Sequence, residues 1–520
     1  MNRSETTTTT TTSVWRVLRL LAMLTCVAWL AACGTAQPIQ AQQNFTGQEG
    51  AVVVRLITNG AVQGAPAESL AVLNLQRVLK PGEKPTQRDL VSLVRTREAT
   101  QTTAIFSGMV EPGTYTFTTA SGIQGNTSYT FPLAQRLSRF EVKRGEVSLL
   151  GTILIQPGNG MQFFVGYLPP DDELRQSFEM LYPALAVQTR GKPVNTLERT
   201  AELERSIQRA PAFKRAPSRW NGLDQTAEGE FFAGAKLGKV LWRKPGEKRW
   251  RELDTGSWRE VMSVHPYRGG LLAAGEEGML RLSRDEGRSW TPLAAPDQAL
   301  VAGVLPLSDG KVLALTRRDV RWTAYLTDNL EQGPWRKLGE FNDLRSINVA
   351  WSRSKVLVLK DALAVSMPEG TLYVIDEKSV AKVGSNSSTA DMSAAPDGTL
   401  VASVMPFTRS TLVSKDRGKT WVDLNTSRFM HAIVFKDAQT AYAVSPIEPG
   451  VSAGKFGLMT SRDGGLHWTH TGDHPGLSSP WDVQELVVDR SNGALIAFLK
   501  DDAVVQSTDE GKTWKIVKDR

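Results

Sequence analysis

The segment SKDRGKTW, residues 414–421, places a serine, an aspartate, a glycine and a tryptophan in the pattern S-x-D-x-G-x-x-W. A hydroxyl and a carboxylate two residues apart could supply oxygen ligands to a cation. The pattern occurs three more times, as SRDEGRSW (283–290), SRDGGLHW (461–468) and STDEGKTW (507–514). Because a recurring pattern is a repeat, the repeat must explain these residues before they are assigned to a site.

Calcium binding by each repeat is disfavoured, because the pattern has one obligatory carboxylate and calcium takes roughly six to eight oxygen ligands. A structural role explains all four residue types. The aspartate can accept backbone hydrogen bonds in a turn, the serine can bond locally, and the glycine can adopt positive φ. The tryptophan offers a large apolar face for packing. We therefore predict that these residues close hairpins: Ser283, Asp285, Gly287, Trp290, Ser414, Asp416, Gly418, Trp421, Ser461, Asp463, Gly465, Trp468, Ser507, Asp509, Gly511 and Trp514.

A histidine cluster, HWTHTGDH, overlaps the third of these copies and could suggest a metal centre. It contains His467, His470 and His474 beside Asp473. On a β-strand, His467 and His470 would point to opposite sides, which makes joint coordination awkward. The sequence therefore favours solvent-exposed histidines, and we predict neither a metal site nor a cofactor.

The repeat has a period that identifies its architecture. Degenerate copies end at Trp250 and Trp335, and in another Val380 takes the place of the tryptophan. With the four clear copies, the anchors stand at positions 250, 290, 335, 380, 421, 468 and 514. A period of about 40–47 residues built from short strands is typical of propeller blades of four strands each. Residues 218–520 are therefore predicted to form a seven-bladed β-propeller.

The pattern resembles the Asp-box, or BNR, repeat of sialidases, sortilin-type receptors and photosystem II assembly factors. The resemblance implies that each copy spans the hairpin between the third and fourth strands of a blade. The opposite face, which we call the mouth, is then formed by the loops between second and third strands and between successive blades. Aromatic and arginine side chains in those loops are typical of recognition surfaces. The predicted ligand-binding residues are Trp258, Arg317, Arg318, Arg345, Phe407, Arg409, Arg428 and Trp481, with Phe341 and Phe429 as further mouth aromatics.

The resemblance to sialidases also raises the possibility of glycan hydrolysis. Those enzymes need an arginine triad, a Tyr–Glu nucleophile pair and an aspartate acid/base, and they have a Phe-Arg-Ile-Pro-like segment early in the propeller. That segment does not occur in this sequence. A hydrolase therefore remains the alternative function, and no catalytic residue is assigned.

The N-terminus has the features of a targeting segment. Arg16 and Arg19 precede the apolar run LLAMLTCVAWLAAC, which ends at Cys33. The final LAAC resembles the lipobox of bacterial lipoproteins, which implies cleavage before Cys33 and lipid attachment to it. By the same resemblance, Gly34 instead of aspartate after the cysteine implies sorting to the outer membrane. The only other cysteine, Cys26, lies inside residues 1–33, so the processed chain would have no free thiol.

Between the lipid and the propeller, the sequence predicts three further segments. Residues 34–46 are polar and read as a tether. Residues 47–168 contain short β-rich runs separated by turns, which predicts a β-sandwich of about seven strands. Within it, FSGMVEPGTYTF (106–117) is similar to transthyretin-like and carboxypeptidase-regulatory-like modules, and an Ig-like arrangement is the related possibility. Residues 169–217 have acidic starts and helical spacing, which predicts a helical linker.

Together these features predict an all-β, lipid-anchored protein of a Gram-negative cell envelope. The net charge of +7 on 520 residues is too small an excess to indicate a nucleic-acid partner. We predict that the propeller is a binding or assembly module for an envelope protein or polysaccharide. It would face either the periplasm or the cell exterior.

Overall fold

The structure is a computed structural model, and it divides the chain into two compact units, one ending at Phe213 and the other beginning at Lys214. The residues it describes are 34–58, 67–96, 99–100, 102–124, 127–157, 163–192, 194–215, 220–226, 228–247, 250–343, 354–359, 361–367, 370–385, 389–395, 397–404, 410–424, 430–448, 455–473, 482–499 and 503–518.

The first unit is built on one sheet of ten strands. The strands are β1 (Gly34–Thr35), β2 (Gly50–Thr58), β3 (Leu70–Arg77), β4 (Leu90–Arg95), β5 (Thr103–Val110), β6 (Gly113–Gln124), β7 (Thr127–Pro132), β8 (Phe140–Val142), β9 (Val147–Pro157) and β10 (Phe163–Leu168). The main hydrogen-bonded order is β10-β9-β2-β5-β4-β3-β6-β7, with β1 paired to β4 and β8 paired to β6. Most pairs are antiparallel, whereas the pairs β2–β9 and β1–β4 are parallel.

Both faces of the central strand β2 are covered, and all nine of its residues are buried. Alternate side chains of a strand point to opposite faces. Val52, Val54 and Leu56 therefore join one apolar cluster, to which strands from both ends of the sheet contribute. Ala51 and Val53 join a second cluster on the other face.

The predicted β-sandwich is not what the first unit forms, because the strands hydrogen-bond into a single sheet that curves into a half-barrel. The two edge strands approach each other over the shared core, where the rings of Phe131 in β7 and Phe163 in β10 lie 5.4 Å apart. Alternating apolar residues mark the buried faces of strands in either architecture. They do not specify whether successive strands join one sheet or two.

Three helices follow the sheet: α1 (Asp172–Leu181), α2 (Pro183–Thr189) and α3 (Ala201–Phe213). The Asp171 carboxylate caps α1 by accepting a hydrogen bond from the Leu174 amide at 2.7 Å. Phe178 of α1 packs with Val53 on one face of the sheet, and Leu203 of α3 joins the cluster on the other face. The helices predicted for 169–217 are therefore present, but they cover the sheet as part of the first unit instead of forming a linker.

The second unit consists of seven four-stranded sheets, each made from consecutive strands. Blade 1 contains β11 (Trp220–Gln225), β12 (Phe231–Ala235), β13 (Lys239–Arg243) and β14 (Arg251–Asp254); blade 2 contains β15 (Val261–Tyr267), β16 (Gly270–Gly275), β17 (Leu280–Ser283) and β18 (Thr291–Pro292); blade 3 contains β19 (Leu300–Pro306), β20 (Val312–Arg318), β21 (Arg321–Thr327) and β22 (Arg336–Asn342). Blade 4 contains β23 (Lys355–Val358), β24 (Leu363–Ser366), β25 (Thr371–Ile375) and β26 (Val380–Ser385).

The remaining sheets complete the propeller. Blade 5 contains β27 (Thr389–Ala394), β28 (Leu400–Val404), β29 (Ser410–Ser414) and β30 (Val422–Asp423); blade 6 contains β31 (His431–Phe435), β32 (Ala441–Pro446), β33 (Phe456–Ser461) and β34 (Thr469–Asp473); blade 7 contains β35 (Val483–Val488), β36 (Leu495–Leu499), β37 (Val504–Ser507) and β38 (Lys515–Lys518). The predicted seven-bladed propeller is confirmed, and the fourth strand of every blade begins at or directly after its predicted anchor.

The ring closes between blade 7 and blade 1 by side-chain packing. The indole of Trp250 in blade 1 meets the ring of Phe498 in blade 7 edge-on, with 5.5 Å between centroids. Beside them, Arg243 Nη2 of blade 1 donates a 2.5 Å hydrogen bond to Asp489 Oδ2 of blade 7. The two side chains are 3% and 1% exposed, so this is a buried ion pair.

Candidate functional site

The residues of the repeat pattern lie in the turns between the third and fourth strands of blades 2, 5, 6 and 7, which we call the box turns. In blade 5, Ser414 Oγ donates to Asp416 Oδ1 at 2.8 Å and accepts from the Gly418 amide at 2.7 Å. The same two hydrogen bonds occur in the turns that begin at Ser283, Ser461 and Ser507. The serine thus ties the carboxylate to the tip of the hairpin.

Each box aspartate is also held by the residue four positions on. Asp416 accepts from Thr420 Oγ1 at 2.6 Å and from the Thr420 amide at 2.9 Å. These hydrogen bonds favour the ionised carboxylate and lower the pKa of Asp416 to about 2. The pKa of each of the other three, Asp285, Asp463 and Asp509, is likewise lowered to about 2.

Because the pKa of Asp416 is lower in the folded turn than its ordinary value of 3.8, the ionised carboxylate stabilises the fold above about pH 3.8. This stabilisation is lost as the pH falls towards 2. We therefore predict that Asp416→Asn lowers the melting temperature at pH 6, and that its difference from wild type shrinks between pH 4 and pH 2. Thermal melts across that range test this, with Lys415→Ala in the same turn as the control. A difference that stays constant with pH would contradict the carboxylate's role.

The glycine and tryptophan of each box turn connect one blade to its predecessor. Gly418 has φ +86°, and its carbonyl accepts a 3.0 Å hydrogen bond from Trp421 Nε1. The indole then packs with Leu372 and Val374 of blade 4. The corresponding indole hydrogen bonds are made by Trp290, Trp468 and Trp514.

Charged residues on this same face pair between neighbouring blades. Two of these pairs join the second position of one turn to the fourth position of the next, where the residue has φ near +60°. They are Lys244–Glu286 at 2.8 Å and Arg462–Glu510 at 2.5 Å. Such exposed pairs each contribute little to the free energy of unfolding, but they engage these charged side chains with one another. Further inter-blade pairs are Arg284–Glu331, Lys311–Glu377 and Arg417–Asp361.

The described histidines of the predicted cluster, His467 and His470, lie in the box turn of blade 6 and on β34 respectively. His467 is the fourth residue after Asp463, and its Nδ1 lies 2.6 Å from Asp463 Oδ2. Its side chain is otherwise exposed to solvent, as is that of His470 on β34. His474 lies outside the described residues. Within the described part of the chain, no group of three or more His, Cys, Asp or Glu side chains could hold a metal ion.

Of the predicted mouth residues, the structure describes Trp258, Arg317, Arg318 and Phe341. The others, together with the predicted lipidation site, lie outside the described residues: Cys33, Arg345, Phe407, Arg409, Arg428, Phe429 and Trp481. Trp258 is half-buried in the loop from blade 1 to blade 2, where Lys214 Nζ lies 4.8 Å from the centroid of its ring. The same ammonium is 2.6 Å from Asp254 Oδ1, so Lys214 contacts both Trp258 and Asp254 in this part of the mouth.

Phe341 does not reach the surface of the mouth. Its ring stacks on Tyr373 of blade 4 at 4.0 Å and on Trp322 of its own blade at 6.1 Å. It is 7% exposed and belongs to the apolar cluster between blades 3 and 4. The sequence placed it near the end of β22, but the face on which a strand residue lies is set by its pairing register.

Blade 3 brings three arginines to the mouth at one hairpin. The hairpin joins β20 to β21 through Asp319 and Val320, and it pairs Arg318 directly with Arg321. Both side chains are exposed. Arg317 lies one step inward, with its guanidinium 5.5 Å from the centroid of the Trp322 ring. Sequence reasoning missed Arg321, although a two-residue turn at Asp319 and Val320 would have placed it directly opposite Arg318.

Charged residues at the mouth of blades 1 and 2 are instead buried and partnered. Arg259 Nε donates to Glu277 Oε2 at 3.2 Å, and both side chains are close to fully buried. Glu276 Oε2 accepts from the Glu260 amide at 2.8 Å, and Arg281 Nη1 donates to a backbone carbonyl. Blade 3 therefore differs from blades 1 and 2 in presenting exposed arginines at the mouth.

Among the described residues, no helix combines the length and apolar character that a membrane span requires.

No protein-family model and no curated protein matches the sequence. Solved structures that are similar to the chain include YCF48 bound to D1 peptide, at 14% identity and a TM-score of 0.42, over 56% of this chain and 93% of that one. Another is a GH74 enzyme from Niastella koreensis, at 15% identity and a TM-score of 0.40, over 58% of this chain and 43% of that one. A streptogramin B lyase structure matches at 11% identity and a TM-score of 0.40, over 58% and 95% of the two chains. At these identities the likeness extends to the fold alone.

Proposed function

We propose that this chain is a lipid-anchored protein of the cell envelope, and that its propeller binds an anionic segment of a partner protein at the mouth. The observation that carries the binding proposal is the pair of exposed arginines, Arg318 and Arg321, facing each other across the β20–β21 hairpin.

Like charges directly opposite each other on neighbouring strands destabilise a hairpin. Asp319 lies in the turn between them, and Glu340 of β22 is near enough to Arg321 for their charges to interact. A partner carboxylate can offset the repulsion by accepting hydrogen bonds from two guanidinium groups, a geometry to which arginine is well suited. Arg317 adds a third positive charge, so a segment with several acidic residues fits the hairpin better than a single acidic residue.

The lipid anchor is supported by the sequence alone, through the LAAC segment that ends at Cys33. A lipid at this position would hold the protein at a membrane surface. Residues 34–46 do not form the free tether predicted from their polarity, because β1 pairs with β4 and the side chains of Ala36 and Ile39 are buried in the first unit. The outer membrane is the proposed location because Gly34 follows the cysteine.

The test uses the full-length protein, extracted from membranes with detergent and immobilised to capture partners from envelope extract. Arg318→Ala with Arg321→Ala is expected to reduce capture tenfold or more, equivalent to about 1.4 kcal/mol per factor of ten. The matched control is Arg288→Ala, which removes an exposed arginine from a box turn and should leave capture unchanged. On the same preparation, Cys33→Ser should move the protein to the soluble fraction.

Unchanged capture by the double variant would exclude this hairpin as the docking point, and Cys33→Ser protein that still needs detergent would exclude the lipid. A hydrolase would behave differently, because the double variant would reduce release of sugar from a glycan substrate. Capture of polysaccharide in place of protein would assign the mouth to the other partner class.

A further inference from the structure

The first strands of neighbouring blades lie against one another around the propeller axis. Their N-terminal ends open to the mouth, because each follows a loop between blades. In blades 4 to 7 these ends carry charged or titratable side chains: Lys355 of β23, Asp391 of β27, His431 of β31 and Glu485 of β35. One group therefore contains residues from four successive blades at the mouth end of the central channel.

Asp391 is the fixed centre of this group. Its side chain is 9% exposed. Oδ2 accepts from the Ala432 amide of blade 6 at 2.8 Å, and Oδ1 accepts from its own neighbour, the Met392 amide, at 2.9 Å. Backbone donors thus hold the carboxylate in place, and they do not depend on any flexible side chain.

Lys355 is the cation that faces this carboxylate. Its Nζ lies 2.9 Å from Asp391 Oδ1, yet its side chain is 46% exposed. Burial alone would lower the pKa of Lys355, but the charges of Asp391 and Glu485 outweigh it and raise the pKa. Since Glu485 belongs to blade 7 and Lys355 to blade 4, the ammonium is attracted from two directions across the channel.

His431 stands beside the same carboxylate. Its Nε2 lies 2.9 Å from the Val483 carbonyl oxygen of blade 7, and its Nδ1 lies 3.6 Å from Asp391 Oδ2. The ring therefore links blades 6 and 7 beside Asp391, and Lys355 of blade 4 contacts the other oxygen of the same carboxylate.

We propose that this end of the channel is a binding site for a cationic side chain, an ammonium or guanidinium group, and that Lys355 occupies it as an internal stand-in. The carboxylate is buried and held by backbone amides, whereas a lysine side chain is flexible and its head group is half-exposed. An incoming cation can take its place against Asp391 and Glu485 as Lys355 swings into the channel. This site is separate from the arginine hairpin of blade 3 and selects the opposite charge.

The test compares thermal melts of full-length wild-type and Lys355→Ala protein in methylammonium chloride and in sodium chloride at equal ionic strength. Removing the ammonium should lower the melting temperature, because it leaves a buried carboxylate without its cation. Methylammonium should restore most of that loss in Lys355→Ala and have little effect on wild type. No rescue, or equal rescue by sodium chloride, would overturn the proposal.

Two further variants keep the test decisive if Lys355→Ala is poorly folded. Lys355→Met retains the aliphatic stem and should bind a tri-lysine peptide at least tenfold more tightly than wild type, measured by calorimetry. Adding Asp391→Asn should abolish that gain, and Glu485→Gln should reduce it. Equal affinity of Lys355→Met and wild type would show that Lys355 does not occupy a cation site. Partner capture by the blade 3 arginines should be unchanged in Lys355→Met, so failure of either proposal can be recognised separately.

Discussion

Replacement of Arg243 by methionine is expected to lower the free energy of unfolding of the propeller by about 3–5 kcal/mol, because it leaves the carboxylate of Asp489 buried without its cation. The guanidinium also lies over two aromatic rings of blade 1, 4.6 Å from the centroid of Phe231 and 5.1 Å from that of Trp250. These contacts place Arg243 at the junction where the first and last blades meet. Denaturant unfolding of the full-length chain measures the effect.

A matched exposed pair provides the control. Lys244 is the next residue along the chain and pairs with Glu286 of blade 2 at the surface. Lys244→Met should therefore cost no more than about 1 kcal/mol. The double variant Arg243→Met, Asp489→Leu removes both charges and should recover part of the lost stability. If the single and double variants are equally destabilised, packing and not the unpaired charge explains the loss.

The second large effect is expected for Gly418→Ala, which should lower the stability of the propeller by about 2–5 kcal/mol. Gly418 has φ +86°, a conformation that costs an alanine about 1–2 kcal/mol. A Cβ atom at this position would also stand 2.3 Å from Leu372 Cδ2 of blade 4, so the buried Leu372 side chain would have to move. Thermal or denaturant unfolding of the variant measures the sum of the two terms.

Gly398 in the same blade separates these two terms. It has nearly the same φ, +89°, but no atom lies within 4 Å of the position its Cβ would take. Gly398→Ala should therefore show the backbone cost alone. Equal losses for the two variants would mean that contact with blade 4 contributes nothing, and that the box turn does not set the spacing between blades.

The number of blades was predictable from the sequence because the repeat pattern that marks each blade involves residues close together in the chain. In every box turn the serine, aspartate and glycine that bond to one another lie within five consecutive residues, so their hydrogen bonds can be anticipated from spacing. The helices of the first unit were predictable for the same reason, since the cap at Asp171 and the apolar spacing of α1 are local. Where these helices pack was not, because that depends on which face of a distant sheet remains uncovered.

The candidate site was predictable only in part. Arg317 and Arg318 were found because they lie in a loop that the blade period assigns to the mouth. Phe341 was assigned to the same surface, yet it is stacked in the core between blades 3 and 4. Strand register decides between those outcomes, and a shift of one residue exchanges the two faces.

The sequence by itself determined the seven-bladed propeller, the positions of its box turns and the candidate lipidation site, because each depends on residues that are close together in the chain. Tertiary structure decided that the first ten strands form one curved sheet, since pairing partners such as β2 and β9 are far apart in sequence. It also decided the closure of the ring, where Arg243 and Asp489 are 246 residues apart. Contacts between residues so far apart in the chain leave no periodic pattern in the sequence, because each occurs once and depends on how whole blades pack.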